Sequence, residues 1–310
     1  MSRFLRSAAL AAVIATVLPF SAMAQDADPE VAEARLDYIA GRYATALEVL
    51  TPAAEAGNAN AQNLLGAAYE NGNGVEQNIE TAIAWYEKSA AQDFPRALHN
   101  LGIIYADGEH GITPDPEKAR GLFEKALQQD YSRSYSNLGI LYEQGRGVPR
   151  DLAKAAELYR QGDAGGDRNS TYNLANFMRQ GIEMEENLEG ARALYAKAAD
   201  LGHAESFNSL ALMFEYGMGG PVDNTAAYMF FREAVERGVA LAGVNLGQFV
   251  TDQEGFWQDP VEGYGYCLWG IQNAAADQRE GFLVECEGLV EYLTPEDETA
   301  AQLFAEQINP

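Results

Sequence analysis

The chain has 310 residues, with 21 basic against 46 acidic side chains and a formal net charge of −25. At 47% hydrophobic and 22% charged it can bury a substantial core, which argues against wholesale disorder. A protein this acidic repels nucleic-acid phosphates and anionic lipid surfaces, whose sequence-independent attraction depends on Lys and Arg, so both are poor partners for it.

Residues 1–24 have the three parts of a secretory signal peptide. Arg3 and Arg6 give the positive start, residues 8–18 the apolar run, and Ala22-Met23-Ala24 a small-x-small site with cleavage expected after Ala24. The run is too short for a bilayer core, which takes about 20 residues; an N-terminal anchor left uncut is the alternative. Gln25 rather than Cys follows the cut, so no lipid attachment is expected there. The mature product is expected to be soluble and periplasmic, or secreted. Residues 25–57 then read as an N-terminal capping hairpin with a Gly41-Arg42-Tyr43 turn, a helix over 46–56 and a polar outer face.

Residues 58–276 carry an internal repeat. Leu65, Leu101, Leu138, Leu174, Leu210 and Leu246 follow one another at intervals of 36, 37, 36, 36 and 36 residues, which defines six copies. Four positions before each Leu stands Ala or Ser, and four after it stands Tyr69, Tyr105, Tyr142, Met178, Phe214 or Val250. Positions four apart share one helix face, so these residues form the buried stripe of a first helix, helix A. Gly72, Gly108, Gly145, Gly181 and Gly217 follow seven residues after the Leu, where a helix ends in a left-handed turn; Gln253 breaks the series. Next come Asn78, Asp115, Asp151, Asn187, Asp223 and Asp259, all suited to cap a second helix, helix B. Helix B then shows Ala or Gly four residues after the cap and Tyr86, Phe123, Tyr159, Tyr195, Phe231 or Cys267 eight after it.

Each two-helix unit leaves an apolar flank that only a neighbour can cover. The pattern therefore predicts an all-α fold, a right-handed α-solenoid of stacked hairpins with the A helices on its concave wall. Residues 277–310 read as C-terminal capping helices: Gln278 opens a further helix A with Phe282 in the Leu place, and Thr294-Pro295 starts a last helix. The two cysteines, Cys267 and Cys286, occupy a helix B aromatic place and the next helix A aromatic place. A disulfide between them is geometrically reasonable and chemically permitted by export, with two buried free thiols as the alternative.

The strings Leu65-Gly66-x-x-Tyr69-x-x-Gly72-x-Gly74-Val75 and Leu138-Gly139-x-x-Tyr142-x-x-Gly145-x-Gly147-Val148 resemble the Sel1-like repeat, a relative of the tetratricopeptide repeat. The resemblance spans about residues 58–276, with departures at Ala175, Met178 and Glu183 in the fourth copy and Val250 and Gln253 in the sixth. It implies a ligand groove lined by fixed positions around each Leu. Toward the N-terminus these are Asn63, Arg96, His99, Asn100, Arg133 and Asn137. Further along they are Tyr172, Asn173, Asn176, Arg179, Asn208, Asn245 and Gln248. Amides can donate to and accept from a peptide main chain, and Arg can hold a carboxylate with two bonds. The same asparagines could instead bridge helices inside the scaffold.

Nothing in the sequence assembles a catalytic or cofactor site. His99, His110 and His203 occupy different repeat positions, so no metal site is expected; His99 faces the inner wall, and His110 and His203 fall in turns where they should be solvated. The Gly-x-Gly-Val strings follow helices rather than strands, unlike a nucleotide loop, and the Glu185-Glu186 pair reads as a solvated face. The resemblance implies a non-enzymatic, exported scaffold or adaptor that takes a protein or peptide partner of the cell envelope in its groove, in envelope regulation or exopolysaccharide control. The alternative is an envelope protein that binds or processes peptidoglycan or β-lactam compounds, a role tied to more cysteine-rich relatives. A structural spacer in an export assembly is the third reading.

Overall fold

The computed structural model describes residues 28–108, 111–252, 259–291 and 293–308. The signal-type segment, His110 and Gln253 lie outside them. The described residues form 16 α-helices and contain no strand. Helices α1 (Pro29–Ile39) and α2 (Tyr43–Glu55) make the first hairpin. The six A helices are α3 (Ala59–Asn71), α5 (Pro95–Asp107), α7 (Ser134–Gln144), α9 (Arg168–Gln180), α11 (Ala204–Glu215) and α13 (Ala240–Asp252). Their B partners are α4 (Ile79–Ala90), α6 (Pro116–Gln128), α8 (Leu152–Ala164), α10 (Leu188–Asp200), α12 (Asn224–Glu236) and α14 (Pro260–Asn273). Helices α15 (Arg279–Val290) and α16 (Pro295–Gln307) complete the chain. From α2 to α14 each helix packs on the one before it and the one after it, as in a solenoid.

Local chemistry sets the hairpin. Gly72, Gly108, Gly145 and Gly181 end their A helices with φ near +70°, a conformation that costs glycine little. The six Asx residues that follow all accept a backbone N–H from the first turn of helix B, with N···O distances from 2.8 to 3.1 Å. Five of them also donate their own backbone N–H to the carbonyl of the helix A residue four after the Leu, as Asp115 does to Tyr105 at 2.7 Å and Asp151 to Tyr142 at 2.9 Å. Cap and turn are thus locked in one motif.

The B-helix aromatics close the hairpin. Tyr86, Phe123, Tyr159, Tyr195 and Phe231 are buried, each stabilising the stack by about 2–3 kcal/mol through apolar burial. Three of them lie directly on a helix A glycine. A methyl group on Gly66, Gly102 or Gly139 would sit 2.7, 2.4 or 2.4 Å from a ring carbon of Tyr86, Phe123 or Tyr159. In the fourth and fifth copies Ala175 and Ala211 stand at this place and are fully buried.

At the N-terminal end the structure differs from the sequence expectation. The outer face of α1 is not purely polar, because Leu36 is 60% and Ile39 69% exposed. At the other end α15 and α16 do not form a hairpin with each other. Helix α16 packs on α14 instead, with Phe304 over Gly265 and its ring 5.1 Å from that of Tyr266. Cys267 and Cys286 are joined by a disulfide, their Cα atoms 6.0 Å apart, which fastens α15 to α14.

Candidate functional site: a groove along the A helices

Four adjoining cavities run along the wall formed by α5, α7, α9, α11 and α13. The first, about 320 Å³, is bounded by His99, Arg133, Asn137, Arg168 and Asn169. It shares Asn137, Arg168 and Asn169 with a second of about 550 Å³ that reaches Tyr172, Asn173 and His203. Tyr172 leads into a third of about 260 Å³, with Asn176, Arg179 and Asn208, and Leu212 into a last of about 60 Å³, with Asn245 and Gln248. The line is continuous because helix A presents the same flank in every copy. Asn63, Arg96 and Asn100 do not line these four cavities.

The predicted amides divide into two groups. Asn100 donates to Asn63 at 3.2 Å and Asn245 to Asn208 at 2.8 Å, each across neighbouring A helices. Asn176 accepts from the Tyr195 hydroxyl at 2.6 Å while Arg179 Nε donates to that hydroxyl at 3.2 Å, and Gln248 donates to the Glu285 carbonyl at 3.1 Å. The Asn100–Asn63, Asn245–Asn208 and Gln248–Glu285 bonds tie one unit to the next, whereas Asn176 and Arg179 close their own hairpin through Tyr195. The side chains of Arg96, Arg133, Asn137 and Asn173 make no hydrogen bond or ion pair among the described residues. Arg133, Asn137 and Asn173 therefore keep their donors and acceptors turned to the cavities.

His99 and His203 are both enclosed. His99 is buried, 3.0 Å from Ser134 Oγ through Nδ1 and edge-on to Tyr131. Burial, and then the neighbouring Arg133 charge, push its pKa down to about 4, so it is neutral at pH 7. His203 was expected to be solvated, but it stacks on Tyr172 with ring centres 4.2 Å apart and reaches Ser206 Oγ at 3.1 Å. Burial lowers its pKa as well, against the nearby Glu205 carboxylate. The aromatic pair forms a wall of the second cavity. Among the described residues no cluster of three His, Cys, Asp or Glu side chains could hold a metal ion, and no helix is long and apolar enough to cross a membrane.

The Sel1 repeat model matches residues 59–94, 95–131, 132–162, 169–203 and 208–239, more than half of the chain. The chain belongs to the Sel1 repeat family. The hairpin α13–α14 falls outside the matched copies, although it repeats their two-helix form. A Sel1 repeat protein from Oxalobacter formigenes is 28% identical, superimposes with a TM-score of 0.68, and covers 78% of this chain and 96% of its own. A protective antigen of uropathogenic Escherichia coli strains with an SLR fold is 26% identical, with a TM-score of 0.51 over 86% of this chain and 64% of its own. An uncharacterised protein of Neisseria meningitidis is 26% identical over 227 residues, 72% of this chain; the match spans 47% of that relative's length. Sel1 repeat proteins are in general protein–protein interaction scaffolds and in general not enzymes.

Within the Sel1 register, several lining residues stand at positions already identified but filled by other side chains. Asn169 and Leu241 sit five before their Leu, as Arg96 and Arg133 do, and Ile103, Ile140 and Leu212 sit two after theirs. Arg168, held by a bond to the Gly202 carbonyl at 3.0 Å, has no counterpart in that position scheme. The groove is thus a mixed surface, apolar patches alternating with amides and three guanidinium groups, Arg133, Arg168 and Arg179.

Proposed function

We propose that this Sel1 repeat protein is an exported, non-enzymatic adaptor that holds an extended segment of a cell-envelope protein along its A-helix groove. The observation that carries the reading is the continuous run of cavities in which Arg133, Asn137 and Asn173 offer unsatisfied donors and acceptors. A peptide main chain repeats its donors and acceptors along its length, which suits amides repeated once per hairpin. The apolar patches at Ile103, Ile140 and Leu212 suit its side chains, and the guanidinium groups suit a carboxylate. In a chain of net charge −25 those three cations mark where an acidic segment can approach. The disulfide accords with export to an oxidising compartment.

Affinity capture from envelope extract tests this. The wild-type chain should retain one or a few proteins, and Arg133→Ala with Asn137→Ala and Asn173→Ala should lose them while the helical circular dichroism is unchanged. Equal capture by wild type and the triple variant would remove the groove from the function.

A further inference from the structure

The A-helix groove is not chemically uniform along its length. Its first cavity is bordered by Arg133 and Arg168, at the starts of α7 and α9. The Arg133 side chain has no partner among the described residues, and Arg168 gives one N–H to the Gly202 carbonyl. One carboxylate reaches this cavity, Asp167, but it is 4% exposed and caps α9, accepting from the backbone N–H and the hydroxyl of Ser170 at 2.9 and 2.6 Å. His99 beside them is neutral at pH 7, and Ile103 and Leu201 add apolar edges without charge. Two guanidinium groups therefore face an opening with no free carboxylate. The second cavity shares Arg168 but adds Glu205, so the excess of positive charge is confined to the first.

The third cavity has the opposite character, because its polar groups are spent inside the scaffold. Asn176 and Arg179 Nε bond to the Tyr195 hydroxyl, Asn208 accepts from Asn245, and Ser209 donates to the Glu205 carbonyl at 3.2 Å. The surface left to a ligand is that of Leu212, Met218 and Leu241 beside the ring of Tyr172. Leu241, in the first turn of α13, is 41% exposed. The groove thus has a cationic anchor at α7 and α9 and an apolar anchor at α11 and α13.

The register of the solenoid sets the distance between the two anchors. Packed helices stand roughly 10 Å apart, and each anchor lies between two successive A helices, two hairpins from the other. Two steps make about 20 Å, which an extended chain spans in about six residues at roughly 3.3 Å each. We propose that the groove selects an extended segment in which an Asp or Glu side chain, held by Arg133 and Arg168, lies about six residues from a large apolar side chain seated against Leu212 and Leu241. Asn173, on α9 between the anchors, is left for the main chain of that segment. This rests on the groove reading given above and adds to it the chemistry and spacing of what is held.

The probe is a phage-displayed library of random peptides panned on the purified chain, with selected peptides then measured by fluorescence anisotropy. The wild type should enrich peptides carrying Asp or Glu about six positions from Leu, Met or Phe, and changing that acid to Asn should weaken binding about tenfold or more. Arg133→Glu with Arg168→Glu should select Lys or Arg at the acidic place and keep the apolar one. Leu241→Glu should keep the acidic place and lose the apolar one. All three positions are exposed, and a carboxylate in the first turn of α9 favours that helix, so the circular dichroism of both variants should match the wild type. Peptides that need Arg133, Asn137 and Asn173 but carry no such acidic and apolar pair would overturn this inference and leave the groove standing, as would the same motif selected by the charge-reversed variant. Peptides that bind the triple Ala variant as tightly as the wild type, or no enrichment at all, would remove the groove and this inference with it.

Discussion

Gly139 and Gly121 are both helical glycines, yet their surroundings are opposite. A methyl group on Gly139 would meet the Tyr159 ring at 2.4 Å, whereas one on Gly121 would find nothing within 4 Å. Gly139→Ala should therefore cost about 1–3 kcal/mol through overpacking. Gly121→Ala in α6 should gain up to about 1 kcal/mol from helix propensity. Urea midpoints measured side by side decide; equal shifts of the same sign would contradict the packing account. His99 gives a second residue-scale outcome. Its folded pKa lies near 4, below the ordinary histidine value of 6.5, so the folded state binds fewer protons than the unfolded chain. Its contribution is intact above pH 6.5 and is lost as pH falls from there toward 4, amounting to about 3 kcal/mol. His99→Gln should flatten the stability loss over that window, read from urea midpoints at pH 7 and pH 4.5. An unchanged slope would mean that other groups dominate acid unfolding.

At the scale of elements, the disulfide ties α15 to a stack in which each hairpin touches only its neighbours. Reduction should cost roughly 3 kcal/mol by the loop-closure estimate, and the loss should stay local. Amide hydrogen exchange should accelerate in α14 and α15 and remain unchanged in α3 to α8; acceleration along the whole chain would show that the stack unfolds as a single unit. The hairpins were legible in the sequence because their signals are local: a left-handed Gly, an Asx cap and a buried aromatic recur at fixed offsets. The departure of α16 was not, because its choice of α14 over α15 depends on Phe304 finding the bare backbone at Gly265, a tertiary pairing with no period. Leu283 in place of Gly or Ala was the one sequence mark that α15 lacks a helix B, and its meaning emerges only when the six other copies are laid beside it.

For the whole molecule, register predicted the inner wall, and the cavities follow it through α5 to α13. Register could not tell which amides serve the wall and which serve the scaffold. Asn100 and Asn137 occupy the same repeat position, but Asn63 lies within reach of the first, and the second has no such neighbour. Nor did it identify Arg168, whose approach to the groove depends on how successive helices are offset. His203 looked like a solvated turn residue because its stacking partner, Tyr172, comes from the preceding hairpin.

The most direct measurement is site-specific photocrosslinking in living cells, with the reactive side chain placed at Asn173 in the groove or at Met229, which is exposed on α12. A partner held along the A helices should crosslink at Asn173, vanish when Arg133 and Asn137 are replaced by Ala, and be absent at Met229. Crosslinks at Met229 with none at Asn173 would contradict the groove as the binding surface.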